Sequence, residues 1–255
     1  MRNIHIDEVD LTERDVVAIG NDYTQNFVLT QHQHRRAQLL YGATGLMHVS
    51  TTAGQWVVPP QHAVWIPPGT PHAVKFSGVT TRSLYILPEC AERLTLGEAC
   101  KVITISPLLR QLLLGAVDLP LLYNSERDHA LINLLLLELN AMPACEFDVP
   151  LPQHPDLLAL CQTFLLAPSI HDPAERWASA MFMSASTFRR HFLQQTGMSF
   201  SSWRQRACAV SALSQLVSGK PVNEVALSLG YDSGSSFSTM FRRVTGQPPS
   251  ACHPC

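Results

Sequence analysis

Residues 222–243 read VNEVALSLGYDSGSSFSTMFRR, and this stretch decides the fold of the C-terminal part. Val222, Val225, Ala226 and Leu229 recur at helical spacing up to Gly230. Asp232 and Ser233 then offer side-chain oxygens to cap a second helix that carries Phe237, Met240, Phe241 and Val244 on one face. Two short helices joined by a glycine-containing turn form the unit that lays its second helix in the DNA major groove. The pattern recurs upstream. Asp172-Pro173-Ala174-Glu175 predicts an N-cap, a proline at the first helical position and a carboxylate at the third, followed by Trp177, Ala178 and Met181, a turn, and a second helix through Ser184–Phe192. A single such unit is a weak signal. Two in tandem are a strong one.

The chain of 255 residues is 46% apolar and 15% charged, which suits two modest globular domains. It has no uncharged apolar run of about eighteen residues, so no membrane span is expected. The first residues, MRNIHIDEVDLTERD, are acidic and lack the apolar core of a secretory signal. The net charge of −2 is unevenly spread: from His171 onward eight Lys/Arg face four Asp/Glu, and the remainder carries ten against sixteen. A basic end on an acidic body fits a phosphate-binding module attached to a part that need not touch DNA. Seven cysteines, odd in number and irregularly spaced, argue against a disulfide framework and for a reducing cytoplasm. The terminal Cys252-His253-Pro254-Cys255 has metal-like spacing but no second ligand pair nearby, and reads as a frayed tail.

Residues 27–105 alternate apolar and polar in short runs such as Trp56-Val57-Val58, Ala63-Val64-Trp65-Ile66 and Leu84-Tyr85-Ile86-Leu87, punctuated by Pro59-Pro60 and Pro67-Pro68-Gly69. Strands at this density predict a small antiparallel sandwich or barrel. After Ser106 the chain turns leucine-rich, and helices are expected over Pro107–Leu114 and Asp128–Leu139. The second is apolar on more than one face, so it packs either between the barrel and a second copy of the chain or wholly within one subunit. Residues 140–156 hold four prolines and read as a linker; everything from Leu157 is helical in pattern, including a long helix over Ser202–Ser218.

With these residues in place, the C-terminal hundred residues resemble the DNA-binding domain of AraC/XylS-type transcription regulators. The resemblance rests on Glu224-Val225-Ala226, Gly230-Tyr231-Asp232-Ser233, Ser235, Phe237-Ser238, Phe241-Arg242-Arg243, Gly246 and Pro248-Pro249-Ser250. In the first unit it rests on Ala178, Met183-Ser184, Thr187-Phe188, Arg190, Phe192, Thr196-Gly197-Met198-Ser199-Phe200 and Trp203-Arg204. It implies seven helices, the long one holding two recognition helices apart. Four positions depart from the family pattern: Phe182 stands where the first turn usually has glycine, Ser186 and Thr239 stand where long or basic side chains are frequent, and Pro221 replaces a usual serine cap, which shifts the helix boundary toward Lys220.

The N-terminal part resembles a cupin barrel, the sensing half of many such regulators, through His32-Gln33-His34, Gln38 and Gly45, and through Pro67-Pro68-Gly69-Thr70-Pro71-His72. The implied fold is β then α: a cupin-type sensor barrel at 1–105, a helical dimerisation segment at 106–140, a linker at 141–156, and an all-α double helix-turn-helix domain at 157–255.

On the DNA side, the first recognition helix would present Ser186, Arg189 and Arg190, and the second Gly234, Ser235, Ser236, Ser238 and Thr239, with Arg242 and Arg243 nearby. Arginine forks onto guanine O6 and N7, whereas hydroxyls bond bases and phosphates with little selectivity. The first unit is therefore expected to carry the base specificity and the second to position it. Arg204, Arg206 and Lys220 are candidate phosphate contacts, and Trp177, Phe188, Phe192, Trp203, Phe237 and Phe241 are assigned to the core.

On the sensor side, His32, His34 and Gln38 share parity, so one regular strand would point all three inward, with His72 joining from a facing strand. These four could hold a divalent metal. Alternatively they line a pocket for a small organic effector, with Arg36 as an anion partner and Trp65 and Tyr85 in the core. The expected partners are double-stranded DNA, a small-molecule or metal effector, RNA polymerase if the protein activates, and a second copy of the chain, with no membrane. A metal-dependent cupin enzyme fused to a helical domain, and a degenerate regulator with weak DNA binding, are the competing readings.

Overall fold

The computed structural model describes residues 4, 6–145 and 148–252, and the chain divides into two compact units: residues 1–51 with 58–145, and residues 52–57 with 146–255. The terminal His253-Pro254-Cys255 lies outside the described residues, so the expectation of a frayed tail falls there too.

The first unit is a nearly closed antiparallel barrel. Its strands are β1 (Val16–His32), β2 (Ala37–Gly42), β3 (Leu46–Ser50), then, past β4 (Gly54–Val58), β5 (His62–Ile66) and β6 (His72–Ile86). A single turn, α1 (Pro88–Ala91), leads to β7 (Lys101–Thr104), the helices α2 (Pro107–Val117) and α3 (Glu126–Asn140), and a short β8 (Ala144–Cys145). The long β6 is the spine. One edge pairs with β1 from Val16↔Ile86 to His32↔His72, and the other pairs with β3 and then β2. From β2 the sheet continues through β5 and β7 to β8.

Period-two alternation sorts the strand residues. Ala37, Leu39 and Tyr41 of β2 join Trp65, Leu84 and Ile86 in one apolar core, which α2 and α3 cover with Leu109, Leu113, Ile132, Leu135 and Leu139. Gln38 falls on the opposite face, directly across from Tyr85. Both helices begin at a serine whose hydroxyl accepts a backbone N–H: Leu109 to Ser106 and Asp128 to Ser125, each at 3.1 Å. The leucine-rich α3 buries one face only; Leu134 and Leu137 stay 41% and 62% exposed.

The second unit contains β9 (Asp148–Pro150), α4 (Pro155–Leu166), α5 (Ala174–Ala180), α6 (Ala185–Thr196), α7 (Phe200–Val217), α8 (Val222–Ser228) and α9 (Gly234–Thr245). The seventh helix that the family resemblance implies is a single 3-10 turn, Pro249–Cys252. An aromatic cluster fills the first half, with the Trp177 ring 4.9 Å from Phe200 and 5.9 Å from Trp203, and Phe192 5.5 Å from Trp203. Phe237 and Phe241, 5.6 Å apart, anchor the second half.

The proline-rich stretch 140–156 is not bare chain. Asp148–Pro150 pair with Gly54–Trp56, which is why residues 52–57 belong to this unit. The indole N–H of Trp203 donates to the Pro150 carbonyl at 2.8 Å, and Arg206 reaches the Asp148 carboxylate at 3.1 Å. Upstream of α5, Pro173 rather than Asp172 holds the cap position. The Asp172 carboxylate is drawn away from the helix N–H groups because it accepts from the Trp177 indole at 2.8 Å and from Arg176 at 3.1 Å.

Candidate functional site

The helix-turn-helix pairs α5/α6 and α8/α9 are built on one plan. After α8, Tyr231 N donates to Ala226 O and Gly230 N to Leu227 O, with Gly230 at φ 82°. After α5, Met183 N donates to Ala178 O and Phe182 N to Ser179 O, with Phe182 at φ 55°. Both are the same left-handed helix stop, in which paired bonds satisfy the last carbonyls. A side chain at 230 would meet the His171 ring at 2.9 Å and the Ser169 hydroxyl at 3.0 Å, so glycine is required there. Phe182 is 99% exposed, so the first turn tolerates bulk and keeps only the backbone strain. Ser184 and Ser233 cap the two recognition helices, accepting from Thr187 N and Ser236 N at 3.2 Å each.

Phe188 and Phe192 of α6, and Phe237, Met240 and Phe241 of α9, are buried, so the opposite faces are set outward by helical geometry. Ser186, Arg189 and Arg190 lie on the outer side of α6, and Ser235, Ser236, Thr239, Arg242 and Arg243 on that of α9. Two of the sequence-predicted residues differ. Gly234 is turned toward α8, where an added Cβ would stand 2.1 Å from the Asn223 amide oxygen. Ser238 is half-buried and donates its hydroxyl to Gly234 O at 2.6 Å.

The remaining groups are partly engaged. Ser236 and Thr239 donate to the carbonyls of Ser233 and Ser235 at 2.9 and 3.0 Å, which leaves their oxygen lone pairs to accept. Arg189 pairs with Glu175 at 2.6 Å and Arg243 with the Gln205 side chain at 2.7 Å, both on the surface. Of the expected phosphate contacts, Lys220 is exposed and lies 3.9 Å from Glu224. Arg204 and Arg206 are committed inward, to the Asp172 carbonyl and the Asp148 carboxylate.

In the barrel, His32, His34 and His72 come together, with one ligand atom from each lying within 4.8 Å of the others. They do not share a strand with Gln38. His32 ends β1, His34 sits in the connecting turn, Gln38 is on β2 and His72 opens β6. Each Nδ1 lies against a backbone carbonyl: His32 against Thr30 at 2.8 Å, His34 against Arg36 at 2.6 Å and His72 against Thr70 at 2.8 Å. A carbonyl can only accept, so Nδ1 carries a proton in each ring and Nε2 is the ligand atom of the neutral form.

The His72 Nε2 is buried without a partner, and His34 Nε2 faces the Gln38 amide oxygen at 3.1 Å. Two lone pairs at that distance repel unless a cation lies between them or the amide turns to donate. Burial drives the His72 imidazole down to about 4, against the opposing pull of the Thr70 carbonyl. Burial likewise lowers His34, partly offset by the Arg36 carbonyl and the Gln38 amide oxygen, which favour the protonated ring. Burial thus favours the neutral form of His34 and His72, the form that metal ligation requires.

Arg36 does not join this cluster. Fully buried, it donates to the carbonyls of Asp10, Thr12 and Arg14 and reaches the Asp10 carboxylate at 3.3 Å. Its charge is spent holding the N-terminal segment, which removes it as an anion partner for a ligand. Ser83 and Tyr85 enter instead, 3.4 and 3.0 Å from the Gln38 amide nitrogen. Thr81, Ser83 and Tyr85 alternate along β6, a period-two polar row that marks an inward face once the strand is known.

Residues 14–140 match the AraC-like ligand binding domain, and residues 177–253 match a helix-turn-helix domain. Over 223 residues the chain is 34% identical to the HTH-type transcriptional regulator NimR of Escherichia coli K12, an overlap of 86% of this chain and 80% of that protein. It is 37% identical over 103 residues to the HTH-type transcriptional regulator RipA of Corynebacterium glutamicum, 40% of this chain and 30% of that one. Among solved structures, fatty-acid-bound ToxT from Vibrio cholerae is 10% identical with a TM-score of 0.37, covering 94% of this chain and 95% of that one.

Proposed function

The chain belongs to the AraC family of helix-turn-helix transcription regulators, and from that premise we propose that α6 and α9 read DNA while the histidine cluster of the barrel holds the effector. The matched relatives are transcriptional regulators, which sets aside the cupin-enzyme reading. The observation that carries the DNA assignment is the equivalence of the two pairs: the same turn, a serine cap and a buried phenylalanine pair at the same places, with polar and cationic residues opposite. Arg190 is the base reader of α6, with Arg189 available once its exposed pair with Glu175 opens. Ser235, Ser236 and Thr239 of α9 serve mainly as acceptors and register contacts. Phe182 keeps the first turn in the same geometry as the second, which removes one ground for a degenerate regulator; the short side chains of Ser186 and Thr239 bear on contact strength, not on the turn.

Electrophoretic shift with Arg190→Ala and Arg242→Ala tests this. On a bound operator, Arg190→Ala should cost about 1–3 kcal/mol and relax preference at one position. Arg242→Ala should weaken all sequences alike and shallow the salt dependence by about one unit. If Arg190→Ala binds and discriminates as the wild type does, the assignment fails.

A divalent cation as the effector, or as part of it, is favoured by the three Nε2 lone pairs and by the orphaned buried His72 nitrogen. His32, His34, His72 and the Gln38 amide oxygen would hold it, and the metal would supply a Lewis-acidic anchor for a small ligand. Calorimetric titration with Zn2+ or Ni2+ should show one site per chain that His72→Ala abolishes; titration heats equal in both proteins would refute it. The exposed Leu134 and Leu137 of α3 support self-association through that helix. Sedimentation should give a dimer that Leu137→Glu dissociates, and a wild-type monomer at micromolar concentration would overturn this.

A further inference from the structure

A cleft of about 710 Å3 opens along the flank of α6, bounded by the N-terminal ends of α5 and α7. Ile170, Pro173, Leu193 and Phe200 give it an apolar wall, and Arg189, Arg190 and Arg204, the last also bonded to the neutral Asp172 carbonyl, line it with a single carboxylate, Glu175. Recesses of roughly 300–1,000 Å3 with apolar walls and a few converging polar groups are the usual form of small-molecule sites. The surplus of two guanidinium groups selects an anion.

The details separate this cleft from a surface made only for a phosphate backbone. Leu193 stands 49% exposed on the recognition helix. A polar, hydrated phosphate chain gains nothing from a leucine wall, whereas an apolar ligand body does. Arg204 lies over the Phe200 ring at 5.6 Å, and its Nε is buried without a hydrogen-bond partner. The Arg189–Glu175 pair is more than half exposed on both sides, so a ligand anion displaces Glu175 at little cost.

We propose that this cleft binds an organic anion with an apolar body. On the assignment of α6 to DNA made above, such a ligand withdraws Arg189 and Arg190 from the duplex, so ligand and DNA compete for one set of arginines. The barrel would then not be the sole entry for a chemical signal.

The test uses the full chain and 8-anilinonaphthalene-1-sulfonate, an organic anion that fluoresces in apolar surroundings. Wild type should bind it saturably, and Leu193→Ser and Arg190→Gln, both at exposed helical positions, should each weaken binding about tenfold. No saturable binding, or both variants binding as wild type does, would overturn the site. In a second arm, a short duplex of arbitrary sequence at low salt should be released by the probe from wild type, and only at about tenfold higher probe from Leu193→Ser. Duplex that stays bound while the probe saturates would overturn the competition. A wild-type chain that takes up the probe yet never binds duplex would overturn the DNA assignment, while the cleft stands on the fluorescence titration.

Discussion

Replacing Phe182 with glycine should stabilise the second unit, although it deletes the largest side chain in its turn. The ring is 99% exposed and makes no packing contribution to lose, while the backbone sits at φ 55°. A residue with a Cβ in that region costs about 1–2 kcal/mol relative to the right-handed one. Glycine removes that cost but adds about 0.4–1 kcal/mol of unfolded-state freedom. The difference is a net gain of about 0.5–1 kcal/mol, with a midpoint rise of about 4 °C for a domain of this size. Urea unfolding of the full chain followed by tryptophan fluorescence should show a higher midpoint with unchanged slope for Phe182→Gly. Phe182→Ala is the control, because it keeps the Cβ and discards the ring; its midpoint should stay near the wild type. If alanine gains as much as glycine, the ring and not the backbone is the source of strain, and the reasoning is wrong.

Three further outcomes follow from the barrel. Arg36→Met should destabilise it by about 3 kcal/mol in chemical denaturation, since it strands three carbonyls and the Asp10 carboxylate; a loss below about 1 kcal/mol would mean that the N-terminal segment is not held by this residue. Gly45→Ala should be still less tolerated, because its Cβ would meet the backbone oxygens of Gly78 and Ser77 at 2.4 and 2.6 Å from a left-handed backbone; normal expression and melting would contradict it. Burial lowers the His62 imidazole, with the Pro60 carbonyl pulling the other way. Its unfolded form therefore takes up a proton first as pH falls below about 6.5, and stability at neutral pH is lost on acidification. The slope of unfolding midpoint between pH 7 and 5 should be shallower in His62→Gln, and an identical slope would refute the assignment.

The DNA-reading half was legible because its signals are local. A glycine stop, a capping serine and a phenylalanine pair four residues apart each act within one or two turns of helix, so sequence spacing carries them directly. Phe182 was legible as a departure, and the unaltered turn shows why it is tolerated: its side chain meets open solvent where that of residue 230 would meet His171. In the barrel, the motif histidines converge, but by a route that parity alone does not give. His34 leaves the strand, and His72 arrives through the long register of β1 on β6. Arg36 was misread because its partners are carbonyls more than twenty residues upstream, and carbonyls leave no trace in side-chain identity. Ser83 and Tyr85 required knowing which edge of β6 meets β2.

The pairing of Gly54–Trp56 with Asp148–Pro150 makes the DNA-reading half discontinuous in the gene. A fragment cut at residue 146 leaves behind the strand that covers Asp148–Pro150, and with it the bonds from Leu151 to Ala53 and from Gln153 to Thr52. The cut exposes a bare strand edge, a template for pairing with other chains. Such a fragment should be prone to aggregate, and a peptide of residues 52–58 supplied in trans should restore it. Exchange of sensor halves between relatives meets the same obstacle: a graft joined in the proline-rich stretch inherits a foreign strand in the module it was meant to keep intact.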